Sequence, residues 1–173
     1  MPIRITGGDF RSRLIASPLT SKTRPTAART REALFNILQS VSNFKVLDLF
    51  AGSGIMGLES LSRGASSVLA VEKNHAQAQM IAKSYRSLGQ ERALRLLERD
   101  AVAFIRSKCP VEGGFDLIYA DPPFVKAYPD LRLCLQWLSS QGRAVFECPS
   151  RCIPEWAKAA EKRNYGESTL LFF

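Results

Sequence analysis

From residue 45 onward, short apolar runs alternate with amphipathic stretches, and no other feature narrows the possible folds as far. Val46-Leu47-Asp48-Leu49-Phe50, Val68 to Val71, Leu94 to Leu97, Phe115 to Ala120 and Arg143 to Glu147 have the length of strands. They are apolar enough to be covered on both faces, as strands of a parallel sheet are. The spacing between them predicts helices opening at Gly52 and running to Arg63, then over 74–87, 101–107 and 130–138, with a further helix over 154–161. Lys162 to Tyr165, a Gly166 turn and Thr169 to Phe173 read as a closing hairpin. Repeated strand–helix units build a parallel sheet with helices on both faces. The expectation is therefore an α/β fold with a mostly parallel, seven-stranded sheet and an antiparallel last strand.

Ahead of this pattern, residues 3–15 read as a β-hairpin turning at Gly7-Gly8. Ala33, Leu34, Ile37, Leu38 and Val41 then recur at helical spacing, so 26–41 reads as an amphipathic helix. Residues 1–44 form an N-terminal basic extension and 45–173 the main domain. With 173 residues, 46% of them hydrophobic, the two parts make one compact unit with a sizeable core. No apolar run approaches the roughly 20 residues that cross a bilayer. The start, Met1-Pro2-Ile3-Arg4-Ile5, has no long apolar stretch of a secretory leader. A cytoplasmic monomer with no membrane partner is expected. Cys109, Cys134, Cys148 and Cys152 are scattered and His75 is the sole histidine, so reduced thiols and no metal are expected.

The net charge is +8 and unevenly spread. Residues 1–45 hold eight basic side chains against two acids, while the remainder is nearly balanced. A basic end on a near-neutral body suggests a polyanion partner. Arg4, Arg11, Arg13, Arg24 and Arg29 are the candidate phosphate contacts.

Gly52-Ser53-Gly54-Ile55-Met56-Gly57 lies between the first main strand and its helix and matches G-x-G-x-x-G. Glycines there let a ligand approach the backbone and let the helix pack on the sheet. Glu72 ends the next strand, placed to accept from ribose hydroxyls. These features alone fit a dinucleotide or S-adenosylmethionine. Asp48, within Asp48-Leu49-Phe50-Ala51-Gly52, favours the latter, because an anion attracts its cationic end and repels a pyrophosphate. At about 6 Å and an effective dielectric near 20, such a contact is of order 3 kcal/mol before screening. Asp100 could accept from the adenine amine and the Ala101 amide donate to a ring nitrogen. Ser53 and Gly54 offer backbone contacts.

Asp121-Pro122-Pro123-Phe124 follows the apolar run 115–120. A carboxylate and a proline-locked carbonyl accept the two hydrogens of an amino group, and an aromatic stacks on the ring that bears it. An aromatic amine is a poor nucleophile. Two acceptors let its nitrogen pyramidalise and present a lone pair, so this pattern suits amino methyl transfer, with Asp121, Pro122 and Phe124 as the catalytic group and Asp121 also bordering the cofactor.

Asp48 to Gly54, Glu72, Asp100 and Asp121 to Phe124, in that order, resemble Rossmann-like S-adenosylmethionine-dependent amino methyltransferases. Arg4-Ile5-Thr6-Gly7-Gly8-Asp9-Phe10-Arg11-Ser12-Arg13, Arg24-Pro25-Thr26, Arg29 to Leu38 and Leu58-Glu59-Ser60-Leu61-Ser62-Arg63-Gly64-Ala65 are similar to the bacterial RsmD family. The resemblance covers nearly the whole chain. It implies the Rossmann-like methyltransferase fold, 16S ribosomal RNA of the small subunit as partner, and methylation of N2 of guanine 966. The rival readings are a DNA adenine-N6 methyltransferase, a protein-amide methyltransferase, a dehydrogenase on the glycine loop, and an RNA-binding factor without turnover. Against the adenine enzyme, no segment here is long enough for a separate target-recognition domain, and against the dehydrogenase, nothing here supplies an obvious hydride-transfer acid or base.

Overall fold

The computed structural model describes residues 2–16, 28–123 and 128–173. Two short strands, β1 (Ile3–Arg4) and β2 (Leu14–Ile15), pair antiparallel, and helix α1 (Ala28–Leu38) follows. The main sheet is built from β3 (Lys45–Leu49), β4 (Ser67–Val71), β5 (Leu94–Leu97), β6 (Phe115–Ala120), β7 (Leu138–Pro149), β8 (Glu161–Tyr165) and β9 (Ser168–Phe172). Its order is β5-β4-β3-β6-β7-β9-β8, and only β9 runs against the others. Helices α2 (Ile55–Ser62), α3 (His75–Ser87) and α4 (Ala101–Phe104) lie between strands. The expected seven strands and the antiparallel last strand are present.

Alternation along each strand builds two cores. Val46, Val68, Leu117, Tyr119, Val145 and Leu170 face α1–α3 and the β1–β2 ribbon, meeting Leu34, Phe35, Leu58, Ile81, Tyr85, Ile3, Ile5 and Ile15. Leu47, Leu49, Leu69, Val71, Ile118, Phe146 and Leu171 face the other way, onto Phe104, Ile105, Leu131, Cys134 and Trp137. Helix starts carry the expected signals: Asn74 Oδ1 accepts from Gln77 N at 3.0 Å, and Asp100 Oδ1 from Ala103 N at 3.0 Å.

Several elements depart from the sequence expectation. The segment read as a helix over 130–138 is a 3-10 helix, Arg132–Trp137. Its buried positions, Leu131, Cys134 and Trp137, recur every three residues, which is the 3-10 period. The helix expected over 154–161 shrinks to a 3-10 turn at Glu155–Ala157, because Glu161 is taken into β8 opposite Phe172. The helix expected over 101–107 ends at Phe104, where Ser107 Oγ donates to the Phe104 carbonyl at 2.7 Å. Strand β7 starts at Leu138 rather than Arg143, with an irregularity opposite Phe115–Leu117. Gly142 permits that approach, since a Cβ there would lie 2.5 Å from the Phe115 carbonyl oxygen.

Gly7-Gly8 is not a two-residue hairpin turn. Pairing continues only to Ile5 with Arg13 and Ser12, and residues 6–10 leave to dock on the end of α2. Glu59, fully buried, accepts from Thr6 N and Gly7 N at 3.0 and 2.9 Å and pairs with Arg31 and Arg63 at 3.5 and 3.1 Å. Ser62 carbonyl oxygen accepts from Asp9 N at 2.7 Å, and its Oγ from Phe10 N at 2.8 Å. The two segments quoted for the family resemblance, 4–13 and 58–65, thus hold each other.

Candidate active site

Four adjacent strands end level with one another. Leu49 pairs with both Val71 and Ala120, and Val71 with Leu97. Phe50, Glu72, Glu98 and Asp121 therefore leave the sheet along one carboxyl edge. The chain runs outward from β3 through β4 to β5, then returns to β6 on the other side of β3. The point where strand order reverses lies between β3 and β6, and open α/β sheets bind ligands in such a crevice. The glycine loop leaves from one side of it and Asp121-Pro122-Pro123 from the other.

The loop is bent by three residues with left-handed backbone: Phe50 (φ 61°), Gly52 (φ 57°) and Gly54 (φ 74°). Its glycines differ in purpose. A Cβ on Gly57 would lie 2.1 Å from Tyr85 Oη, and one on Gly54 about 3.1 Å from Ile81, so these two let α2 pack on α3. A Cβ on Gly52 would meet nothing nearer than 3.8 Å, so its backbone faces open space. Ser53 is buried.

Asp48 is buried beneath the loop, and its Oδ2 accepts from Gly57 N at 3.3 Å. Burial pushes its carboxyl up to about 7; the Gly57 amide pulls the other way and the charge of Glu72 adds to the rise. Tyr85 Oη, next to Gly57, has no hydrogen-bond partner among the described residues. Glu72 is also buried, and its oxygens accept from Gly52 N at 2.9 Å and Asn74 N at 2.8 Å. It ties the loop down as well as ending β4. Asp100 is exposed, caps α4 and lies 3.9 Å from Lys73 Nζ; Ala101 is buried behind it. Two buried acids around an open glycine backbone fit a cationic nucleoside ligand such as S-adenosylmethionine, whose charge would favour the ionised form of Asp48, and oppose a pyrophosphate.

Across the crevice, Asp121 is half-buried and Pro122 buried. Phe124 and Arg24 lie outside the described residues. Arg4, Arg11, Arg13 and Arg29 are exposed, whereas Arg31 is buried against Glu59 and its Nη2 donates to the Arg4 carbonyl at 2.7 Å. Burial pushes the Cys134 and Cys148 thiols up to about 12 and about 11, which removes them as nucleophiles at neutral pH. Among the described residues no group of three or more His, Cys, Asp or Glu is arranged to hold a metal. One arrangement escaped the sequence reading. Glu147, near the end of β7, is buried and accepts at Oε2 from Tyr119 Oη at 2.7 Å, while its carbonyl accepts from Tyr128 Oη at 2.9 Å. The rule that singled out Glu72, an acid closing a buried strand, applies equally to Glu147.

Strand order and edge geometry define the class: this is the fold of S-adenosylmethionine-dependent methyltransferases. A SAM dependent methyltransferase from Agrobacterium tumefaciens shares it, with a TM-score of 0.73 over 100% of this chain and 69% of that one at 18% identity. More specifically, the family described as Conserved hypothetical protein 95 matches residues 3–173, and the chain belongs to that family. It is 38% identical to Ribosomal RNA small subunit methyltransferase D of Escherichia coli over 123 residues, which are 70% of this chain and 60% of that protein. The Haemophilus influenzae protein of the same name is 32% identical over 125 residues, 70% of this chain and 64% of that one. The matched region thus spans less than two thirds of these relatives' length. Among solved structures, Escherichia coli yhhF gives a TM-score of 0.82 at 28% identity, covering 99% of this chain and 97% of that one. A Thermus thermophilus hypothetical protein gives 0.83 at 26%, covering 98% of each.

Proposed function

We propose that this protein transfers a methyl group from S-adenosylmethionine to the exocyclic N2 amine of a guanine in 16S ribosomal RNA of the small subunit, guanine 966 by family resemblance. One observation carries the reading: the glycine loop with Asp48 and Glu72, and the Asp121-Pro122 end of β6, flank the same switch-point crevice. The names of the Escherichia coli and Haemophilus influenzae relatives support ribosomal RNA as the substrate.

Asp48, Phe50, Gly52, Ser53, Gly54, Glu72, Asp100 and Ala101 hold the cofactor in this reading, the acids facing its positive charge and its donors. When bound, S-adenosylmethionine supplies an electrophilic methyl carbon. The Asp121 carboxylate and the Pro122 carbonyl each accept a hydrogen bond from N2. This frees the nitrogen lone pair and stabilises the positive charge the nitrogen gains as the methyl carbon exchanges its bond to sulfur for one to nitrogen. One N2 proton then leaves by way of the Asp121 carboxylate to solvent. Orientation supplies much of the rate. Phe124 stacks on the base, worth roughly 1–3 kcal/mol, and the nucleotide must be unstacked to reach it. Arg4, Arg11, Arg13, Arg24 and Arg29 grip phosphates, which set register without reading sequence. The same reading takes the protein as a cytoplasmic monomer. No helix among the described residues is long and apolar enough to cross a membrane.

The test uses labelled S-adenosylmethionine and small-subunit particles from cells lacking this protein. Mass spectrometry of the digested RNA should show N2-methylguanine, and its absence rejects the reading. Asp121→Ala should lose turnover while calorimetry still finds cofactor binding, weakened less than turnover because Asp121 only borders the cofactor while it holds the reacting amine. Near-normal turnover of that variant refutes the role of Asp121.

A further inference from the structure

Glu147 sits in the buried stretch Ala144–Cys148 of β7, where an uncompensated carboxylate is costly. Its Oε2 accepts from Tyr119 Oη at 2.7 Å. One phenol occupies one acceptor position, and an ionised carboxylate has about four. Strands β6 and β7 are parallel and pair Tyr119 with Val145 and Ala120 with Phe146. Continuing that register one residue past the end of β6 would set the Asp121 backbone beside Glu147 of β7, at the strand spacing of about 4.8 Å. Tyr128 Oη donates to the Glu147 carbonyl at 2.9 Å, which fixes the backbone at that strand end. Two acids and the Pro122 carbonyl thus leave the neighbouring ends of β6 and β7 on one side of the crevice. All three are acceptors, and they ask for a ligand whose edge is made of neighbouring N–H donors.

Guanine has that edge: N1–H beside the two hydrogens of N2. Adenine presents N6 hydrogens beside a bare N1 acceptor, and cytosine N4 hydrogens beside a bare N3 acceptor. Either lone pair would face a carboxylate and be repelled. We propose that Glu147 is the specificity-determining residue of the site, its carboxylate accepting the N1–H of the target guanine while Asp121 and Pro122 hold N2. Tyr119 is the positioning residue that fixes the carboxylate through Oε2. The proposal rests on the amino-methylation reading above and adds how guanine is told from other bases that carry an amino group.

The probe is 2-aminopurine, which keeps the 2-amino group and lacks N1–H. The nucleotide methylated by the parent enzyme is located first, and particles are rebuilt with guanine or 2-aminopurine there. Failure of the parent to methylate anything sinks the methyl-transfer reading itself. Given activity, the parent should prefer guanine in kcat/KM by on the order of 10- to 100-fold, the scale of one hydrogen bond to a charged group. Glu147→Met, which keeps length and removes the acceptors, should act on both bases within about threefold of each other, with cofactor affinity unchanged. Tyr119→Phe should reduce the preference partway, through loss of rate on guanine. Equal parental rates on the two bases overturn the proposal without any variant. So does a parental preference that survives in a folded Glu147→Met, or in Tyr119→Phe should the first variant not fold. A merely structural Glu147 would depress both rates together.

Discussion

Phe50 and Gly8 both hold a left-handed backbone, for different reasons. Phe50 at φ 61° bears a strain of roughly 1–2 kcal/mol, which turns the chain out of β3 sharply enough for Ala51 N to reach the Val71 carbonyl and Gly52 N to reach Glu72. Gly8 at φ 75° lies against Ser62, where a Cβ would fall 1.7 Å from a backbone oxygen. Gly89 has a similar φ of 67° and nothing within 4 Å of its Cβ position. Gly89→Ala should cost about 1 kcal/mol in urea unfolding and Gly8→Ala well over 2 kcal/mol, the difference measuring the contact between residues 6–10 and α2. Equal costs would mean that this contact yields freely. Asp48 allows a second test at this scale. Its carboxyl is raised from 3.8 to about 7, so between those values the folded protein binds more protons than the unfolded chain. Its contribution to stability therefore falls as pH rises from about 4 to 7, by about 1.4 kcal/mol for each pH unit crossed, and stays low above. Asp48→Asn should gain a few kcal/mol over the parent at pH 8 and nearly nothing at pH 3.5 in chemical denaturation, while losing cofactor affinity. A variant-minus-parent difference that does not change with pH removes the assigned burial cost.

Helix α2 connects two regions: its first turn follows the glycine loop, while Glu59 and Ser62 in its last turn and Arg63 at its C-cap hold residues 6–10. Arg63 also lies over the Phe35 ring at 4.6 Å, tying α1 to the same point. Breaking a buried ion pair from one side leaves an uncompensated charge, so Glu59→Ala should cost about 3–5 kcal/mol by urea unfolding. Arg31→Met with Glu59→Met removes the two fully buried charges, leaves the partly exposed Arg63, and should recover much of that loss. A double variant as unstable as the single would mean that backbone contacts from Thr6 and Gly7, rather than charge pairing, dominate. These elements also separate what was legible in the sequence from what was not. Strands β3–β6, the glycine loop and the Asp121-Pro122 strand end were legible because apolar runs, glycines and strand-terminal acids are local signals. The 3-10 period of Leu131, Cys134 and Trp137 is equally local, but a helical template passes over it. The Glu59 contacts and the Tyr119–Glu147 bond join residues 53 and 28 positions apart, and only the packing of α2 and the register of β6 on β7 create them. Arg31 reads as part of a basic surface for the same reason: sequence gives its charge and not its burial.

At the scale of the whole molecule, the extension is built into the α1–α3 face, with Ile3, Ile5 and Ile15 sharing a core with Leu117, Tyr119 and Val145. Leu34 and Phe35 of α1 pack in the same core as Tyr119, the next-to-last residue of β6. In the proposed reading, a basic extension anchored there offers phosphate contacts beside the place where a base would enter. The charges divide accordingly: Arg31 and Arg63 serve the anchor, while Arg4, Arg11, Arg13 and Arg29 are exposed. Phosphate contacts release counterions, so each one lost should lower the slope of log affinity against log salt by about 0.7–0.9. Arg11→Ala with Arg13→Ala should therefore flatten the slope for ribosomal RNA by up to about 2, lower affinity for unrelated RNA equally, and leave urea stability near the parental value. Arg31→Met should do the reverse, lowering stability and leaving the slope of the folded fraction intact. Filter binding across a salt series, run beside urea unfolding, separates the two classes. A parental slope in the Arg11/Arg13 variant would make those residues bystanders and move the RNA contact to another face.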